Sequence, residues 1–129
     1  MKAETREWVR FAEEDFDVAT TLFQRRKRGA ANSIGFHCQQ CVEKYLKARM
    51  VEDGLMVTKT HDLQVLLHLL LPVQPLWAAF NPVLGNLTGY AVKFRYPGNV
   101  ATRADARAAL KACRSLRTEI RLSLGLPRK

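Results

Sequence analysis

The stretch Phe36–Met50, FHCQQCVEKYLKARM, decides the fold, because it reads in two incompatible ways. Cys38-Gln39-Gln40-Cys41 has the C-x-x-C spacing of a redox pair or of half a metal site, with His37 in front. A redox pair takes its low thiol pKa from a helix N-terminus, usually after a strand. A closed zinc site needs four ligands. Here the pair lies two turns or more inside a helical pattern running from about Ala31 to Glu52 and stopping near Gly54, and no second C-x-x-C follows. At 100° per residue Cys38 and Cys41 share a face with Ala31, Ile34, Val42 and Tyr45. They read as small buried residues, and no metal is expected. Gln40, Glu43, Lys44 and Lys47 fall on the other side. They read as a solvated face, with Glu43 and Lys47 as a supportive i,i+4 pair.

Outward from this helix, almost every segment keeps a helical period. Before it, Trp8, Phe11, Ala12, Phe16, Ala19, Leu22 and Phe23 form an apolar stripe, closed by the cations Arg25 to Arg28 and by Gly29. After it, a third helix begins past Thr60 and ends at Pro72, burying Leu63, Leu66, Leu67, Leu70 and Leu71. Residues 75–94 also read as helical, with Pro82 at a start or a kink. A fifth helix spans about Arg103 to Leu124, with Thr102 as N-cap and Asp105 completing an imperfect capping box. No segment alternates long enough to make a strand. The expectation is one all-α domain over residues 1–129, a five-helix up-and-down bundle.

The chain has 129 residues, a net charge of +9 and a pI of about 10.0, which favours an anionic partner. The charge is uneven. The first twenty residues hold half of the twelve acids and are net −3, so the remainder is net +12. On the fifth helix Arg103, Arg107, Lys111, Arg114, Arg117 and Arg121 fall within an arc of roughly 120°, opposite Ala106, Ala109, Cys113, Leu116, Ile120 and Leu124. Such a stripe suits phosphate contacts, pairing with the acidic first helix, or plain solvation. Tyr96, between Arg95 and Pro97, either stacks on a base or plugs the end of the bundle. His61 beside Asp62 is an acid or base near neutral pH, or a loop anchor. His68 reads as helix surface.

No apolar run is long enough to span a bilayer. The charged N-terminus lacks the apolar centre of a signal peptide, and three cysteines do not make a secreted scaffold. A cytoplasmic location is expected. No P-loop, G-x-G-x-x-G or H-E-x-x-H is present, so no cofactor is implied. Residues 63–84, LQVLLHLLLPVQPLWAAFNPVL, carry more large apolar side chains than a thin bundle readily buries, among them Leu69, Leu71, Trp77 and Phe80. Self-association is expected from that excess.

These residues also carry a resemblance. HCQQCVEKYLKA resembles the Q-x-x-x-E-K-x-x-K-A signature of HEPN domains (higher eukaryotes and prokaryotes nucleotide-binding), with Gln39, Glu43, Lys44 and Lys47 on the motif positions. GLMVTKTHDLQVLL resembles the family's glycine followed by T-H-D-L, with His61 and Asp62. VKFRYPG resembles its R-Y-P segment, with Arg95, Tyr96 and Pro97, and WVRFAEEDFDVATTLF fits its opening W-x-x-x-A-x-x-D-x-x-x-A. The resemblance implies a helical bundle of the short stand-alone prokaryotic type, commonly dimeric, and a frequent partner in a small nucleotidyltransferase. Many relatives are RNA-cleaving toxins with an R-x4–6-H motif. No arginine precedes His37, His61 or His68 at that spacing. The reading is therefore a nucleotide- or RNA-binding interaction module, toxin–antitoxin-like, rather than an enzyme. Its phosphate contacts would come from Lys44, Lys47, Arg95, Arg107, Lys111, Arg114 and Arg121, and Tyr96 would stack. The alternative is a metal-independent ribonuclease toxin with a degenerate site built on Arg95 and His61.

Overall fold

A computed structural model describes all 129 residues. Five helices form the domain, and there is no strand. They are α1 (Ala3–Gln24), α2 (Ala31–Glu52), α3 (Leu63–Leu70), α4 (Asn81–Val92) and α5 (Arg103–Ser123). The expected fifth and third helices have the right places, and residues 75–94 resolve into a 3₁₀ turn (Pro75–Phe80), α4 and a second 3₁₀ turn (Lys93–Arg95). Pro82 sits in the first turn of α4, where its missing N–H costs nothing. Two N-termini are capped by side chains. The Asp62 carboxylate accepts from the backbone N–H groups of Gln64 and Val65, so His61 lies just outside α3 rather than in it. Thr102 and Asp105 make a complete capping box at α5.

α2 is the axis of the molecule, packed against α1, α3, α4 and α5. Thirteen of its 22 residues are buried. Their side chains therefore point in almost every direction, and the helix has no true solvated face. Tyr45, Ile34, Leu46 and Met50 are among the largest fully buried side chains, each worth about 1.5–3 kcal/mol of apolar burial. Cys38, Cys41 and Cys113 are all free and fully buried in the same core. The neighbouring Cys113 thiol and burial in the core push the Cys38 thiol far above its ordinary value. A thiol held protonated is a packing group, not a nucleophile.

The apolar excess in residues 63–84 is smaller than its sequence implies. Trp77 is buried within the monomer, and Leu71 and Phe80 pack partly against the core. Leu69 and Leu76 stay exposed. No helix is long and apolar enough to cross a membrane.

Close approach of α2 and α4 depends on one glycine. A Cβ on Gly35 would lie 2.0 Å from Cδ1 of Tyr90. Tyr90 in turn stacks on Phe94, with ring centroids 4.8 Å apart, and its hydroxyl donates to the Asp105 carbonyl. The start of the 93–102 loop is thus braced by the body of the bundle.

Candidate functional site

The motif residues of α2 form one hydrogen-bonded network centred on Glu43. Oε1 of Glu43 lies 2.8 Å from Nδ1 of His61 and accepts from Nε2 of Gln39 at 3.2 Å. Oε2 accepts from Nζ of Lys47 at 3.0 Å. Gln39 also donates to the His61 carbonyl, and Gln40 donates to the Gln39 side-chain oxygen. A carboxylate in an ion pair only accepts, so Nδ1 of His61 carries the hydrogen of that bond. The His61 side chain is 62% exposed, and its other ring nitrogen is left for solvent or a ligand.

This arrangement corrects the solvated-face expectation. Glu43 and Lys47 are 3% and 5% exposed, because α1 and the 53–62 loop close over them. Nζ of Lys47 lies 5.7 Å from the centroid of the Trp8 ring and is committed to Glu43. It is an internal cation, not a surface phosphate contact. Lys44 is likewise spent. It donates to Oδ2 of Asp15, whose Oδ1 is 2.7 Å from Nδ1 of His37. Burial by itself raises the Asp15 carboxyl, but the hydrogen bonds from His37 and Lys44 outweigh it and hold the group below its ordinary value of 3.8.

The α5 stripe divides in two. Arg103, Arg107, Lys111 and Arg114 are exposed. Arg117 and Arg121 are buried, which corrects their placement on an outward face and the assignment of Arg121 to phosphate contact. Arg117 makes a two-pronged pair with Glu13. Arg121 donates to the Tyr45 hydroxyl and to the carbonyls of Pro127 and Lys129. The Tyr45 hydroxyl donates to Glu13. Burial, then the neighbouring Glu13 carboxylate, push the Tyr45 phenol up. For Glu13, the bonds from Arg117 and Tyr45 overcome burial, which alone would raise it, and hold it below 4.5. Of the three fates open to the stripe, pairing with α1 applies to its C-terminal end.

The R-Y-P loop is held out from the bundle. Asn32, in the first turn of α2, donates to the carbonyls of Phe94 and Asn99 and accepts from the Ala101 N–H. Between those anchors Tyr96 is 66% exposed and does not plug the bundle end. The Arg95 guanidinium lies 5.1 Å from the Phe36 ring centroid. Phe36 and Glu43 are seven residues apart on α2, hence on one face and about 10 Å apart along its axis. Arg95 over Phe36 and His61 over Glu43 therefore occupy the same side of the molecule. Asp62 and Pro97 cap α3 and follow Tyr96, and neither joins the network.

Sequence reasoning missed Asn32, Asp15 and His37 as organising residues. The partners that give them their roles lie between 22 and 69 positions away, so no local spacing announces them.

No curated protein and no solved structure gives a significant match to the chain. The model of the HEPN domain matches residues 5–122, from the first turn of α1 to the last turn of α5. With the all-α architecture and the motif residues gathered around α2, this shows that the chain belongs to the HEPN domain family of nucleotide-binding helical modules.

Proposed function

We propose that this protein is an interaction module that binds a phosphate-bearing ligand, nucleotide or RNA, and works as a homodimer with a small nucleotidyltransferase in a toxin–antitoxin-like pair. One observation carries the reading: the cations left unspent. Arg95, Arg107, Lys111 and Arg114 are exposed, and no carboxylate lies within ion-pair distance of any of them. Of the other cations of the motif and the stripe, Lys44, Lys47, Arg117 and Arg121 are paired with carboxylates of the fold, and Arg103 bonds a backbone carbonyl. Unpaired cations on one α-helix and a neighbouring loop suit a polyanion. Exposed Tyr96 adds a ring on which a base can stack. Binding of a short RNA should weaken steeply with salt, since each neutralised phosphate releases counterions. Lys111→Ala with Arg114→Ala should flatten the slope by about 0.7 per lost single-strand contact without changing Tm. An unchanged slope would defeat the reading. Co-purification with a nucleotidyltransferase encoded beside it tests the partner.

A ribonuclease reading is favoured by one specific feature, the outward-facing His61 ring braced on buried Glu43, on the same side as Arg95. Purified protein incubated with RNA in EDTA decides it: cleavage lost in His61→Ala and in Arg95→Ala would make the protein an enzyme.

A further inference from the structure

A second basic region lies away from the motif residues. The α1–α2 connection and the start of α5 enclose a hollow of about 600 Å³. That is within the size range of small-molecule sites. Arg26, Lys27, Arg28 and Arg103 line it, and no carboxylate does. None of these four cations has an ion-pair partner in the fold. Like charges gathered round a concave surface repel one another, and an anion relieves that repulsion.

The hollow is also held in shape. Arg103 donates to the Phe23 carbonyl at 3.2 Å, and its guanidinium lies 4.1 Å from the Phe23 ring centroid. This fixes the arginine and leaves its remaining donors free. Arg26 takes a φ of 52° and Gly29 one of 75°, a left-handed course that an arginine rarely adopts. The other half of the wall is apolar, from Ile34, Val100, Ala101 and Ala106 among others. The first turn of α2 opens here without a side-chain cap or an acid, and its positive end adds to the field of the four cations.

We infer that this hollow is a binding site for the polyphosphate group of a nucleotide, with Arg26, Lys27, Arg28 and Arg103 holding phosphate oxygens and the apolar wall beside them facing the nucleoside. It deepens the proposed function and rests on its nucleotide branch. The hollow adjoins the R-Y-P loop, because Asn32 lines it and also anchors Phe94, Asn99 and Ala101. Occupancy would thus be felt at Tyr96.

The test is calorimetric titration of the full chain with ATP and, separately, with sodium triphosphate. The variant is Arg26→Gly, Lys27→Ala, Arg28→Ala. Gly suits the φ of 52°, and none of these side chains makes a hydrogen bond that the fold would lose. ATP affinity should fall by about tenfold or more for each charge-assisted bond removed, while Tm holds. Lys59→Ala, an exposed cation on the 53–62 loop outside the hollow, should leave ATP affinity unchanged. Binding of both probes assigns the site to the polyphosphate, and tighter binding of ATP adds the nucleoside. ATP affinity unaltered in the triple variant would overturn the site and leave the nucleotide reading standing. No binding of either probe to the wild type would overturn it too, while the RNA salt slope of the Lys111 and Arg114 variant stays independently measurable. Loss of RNA binding alone would assign the hollow to an RNA track and equally refute the proposal.

Discussion

Arg117 holds Glu13 through two parallel hydrogen bonds, Nε to Oε2 at 2.7 Å and Nη2 to Oε1 at 2.6 Å, across 104 positions of sequence. This fork ties the last helix to the first, and α2 lies between them as the core. It also ties in the C-terminal segment, since Arg117 donates to the Arg128 carbonyl as well.

Breaking the fork should cost more than a surface ion pair, because Arg117 is buried and keeps its charge. Glu13→Gln should destabilise the protein by about 2 kcal/mol or more, read as a lower midpoint in urea. Glu13→Gln combined with Arg117→Met should recover part of the loss, since no cation is then stranded. A midpoint equal to wild type in Glu13→Gln would show that the pair contributes nothing.

Acid should weaken the fold through two carboxylates. Glu13 and Asp15 are both held below their ordinary values of 4.5 and 3.8. Their folded forms bind protons less readily than the unfolded chain does. The stability they supply is complete above those ordinary values and is lost as pH falls through the lower folded ones. Tm should therefore drop on acidification below about pH 4.5, and Asp15→Asn should flatten that limb. An Asp15→Asn protein with the wild-type acid limb would refute the account.

Glu43 and His61 should separate under mutation. Glu43→Ala strands the Lys47 ammonium inside the protein, and about 3 kcal/mol or more should be lost. His61→Ala removes a largely exposed ring and should cost under about 1 kcal/mol. Equal losses in a denaturant titration would mean that the network does not centre on the carboxylate.

Gly35→Ala should be poorly tolerated for a steric reason, since the new methyl would fall inside the Tyr90 ring. Overpacking of this kind typically costs about 1–3 kcal/mol. It should loosen the Tyr90–Phe94 stack and raise amide exchange in residues 93–102. Gly35→Ala with Tyr90→Leu should restore part of the stability, and no rescue would place the cause elsewhere.

The local parts of this protein were legible in its sequence. Apolar residues every three or four positions mark the helices, and Thr102 with Asp105 marks the start of α5, because a helix is built from bonds between near neighbours. Cys38 and Cys41 were placed inside for the same reason. The four HEPN elements in order gave the family. The use of each charge was decided by tertiary structure. Lys47 looks like half of a surface pair until α1 and the 53–62 loop cover it. Arg103 and Arg121 make the point most simply. They are 18 residues apart, five full turns, and so have the same angle on α5. About 27 Å of helix separates them. One end faces the open basic hollow beside the α1–α2 connection, and the other is covered by Glu13, Tyr45 and the returning C-terminal segment. A helical wheel records direction and discards height along the axis, and here height determines which arginines are free to meet a phosphate.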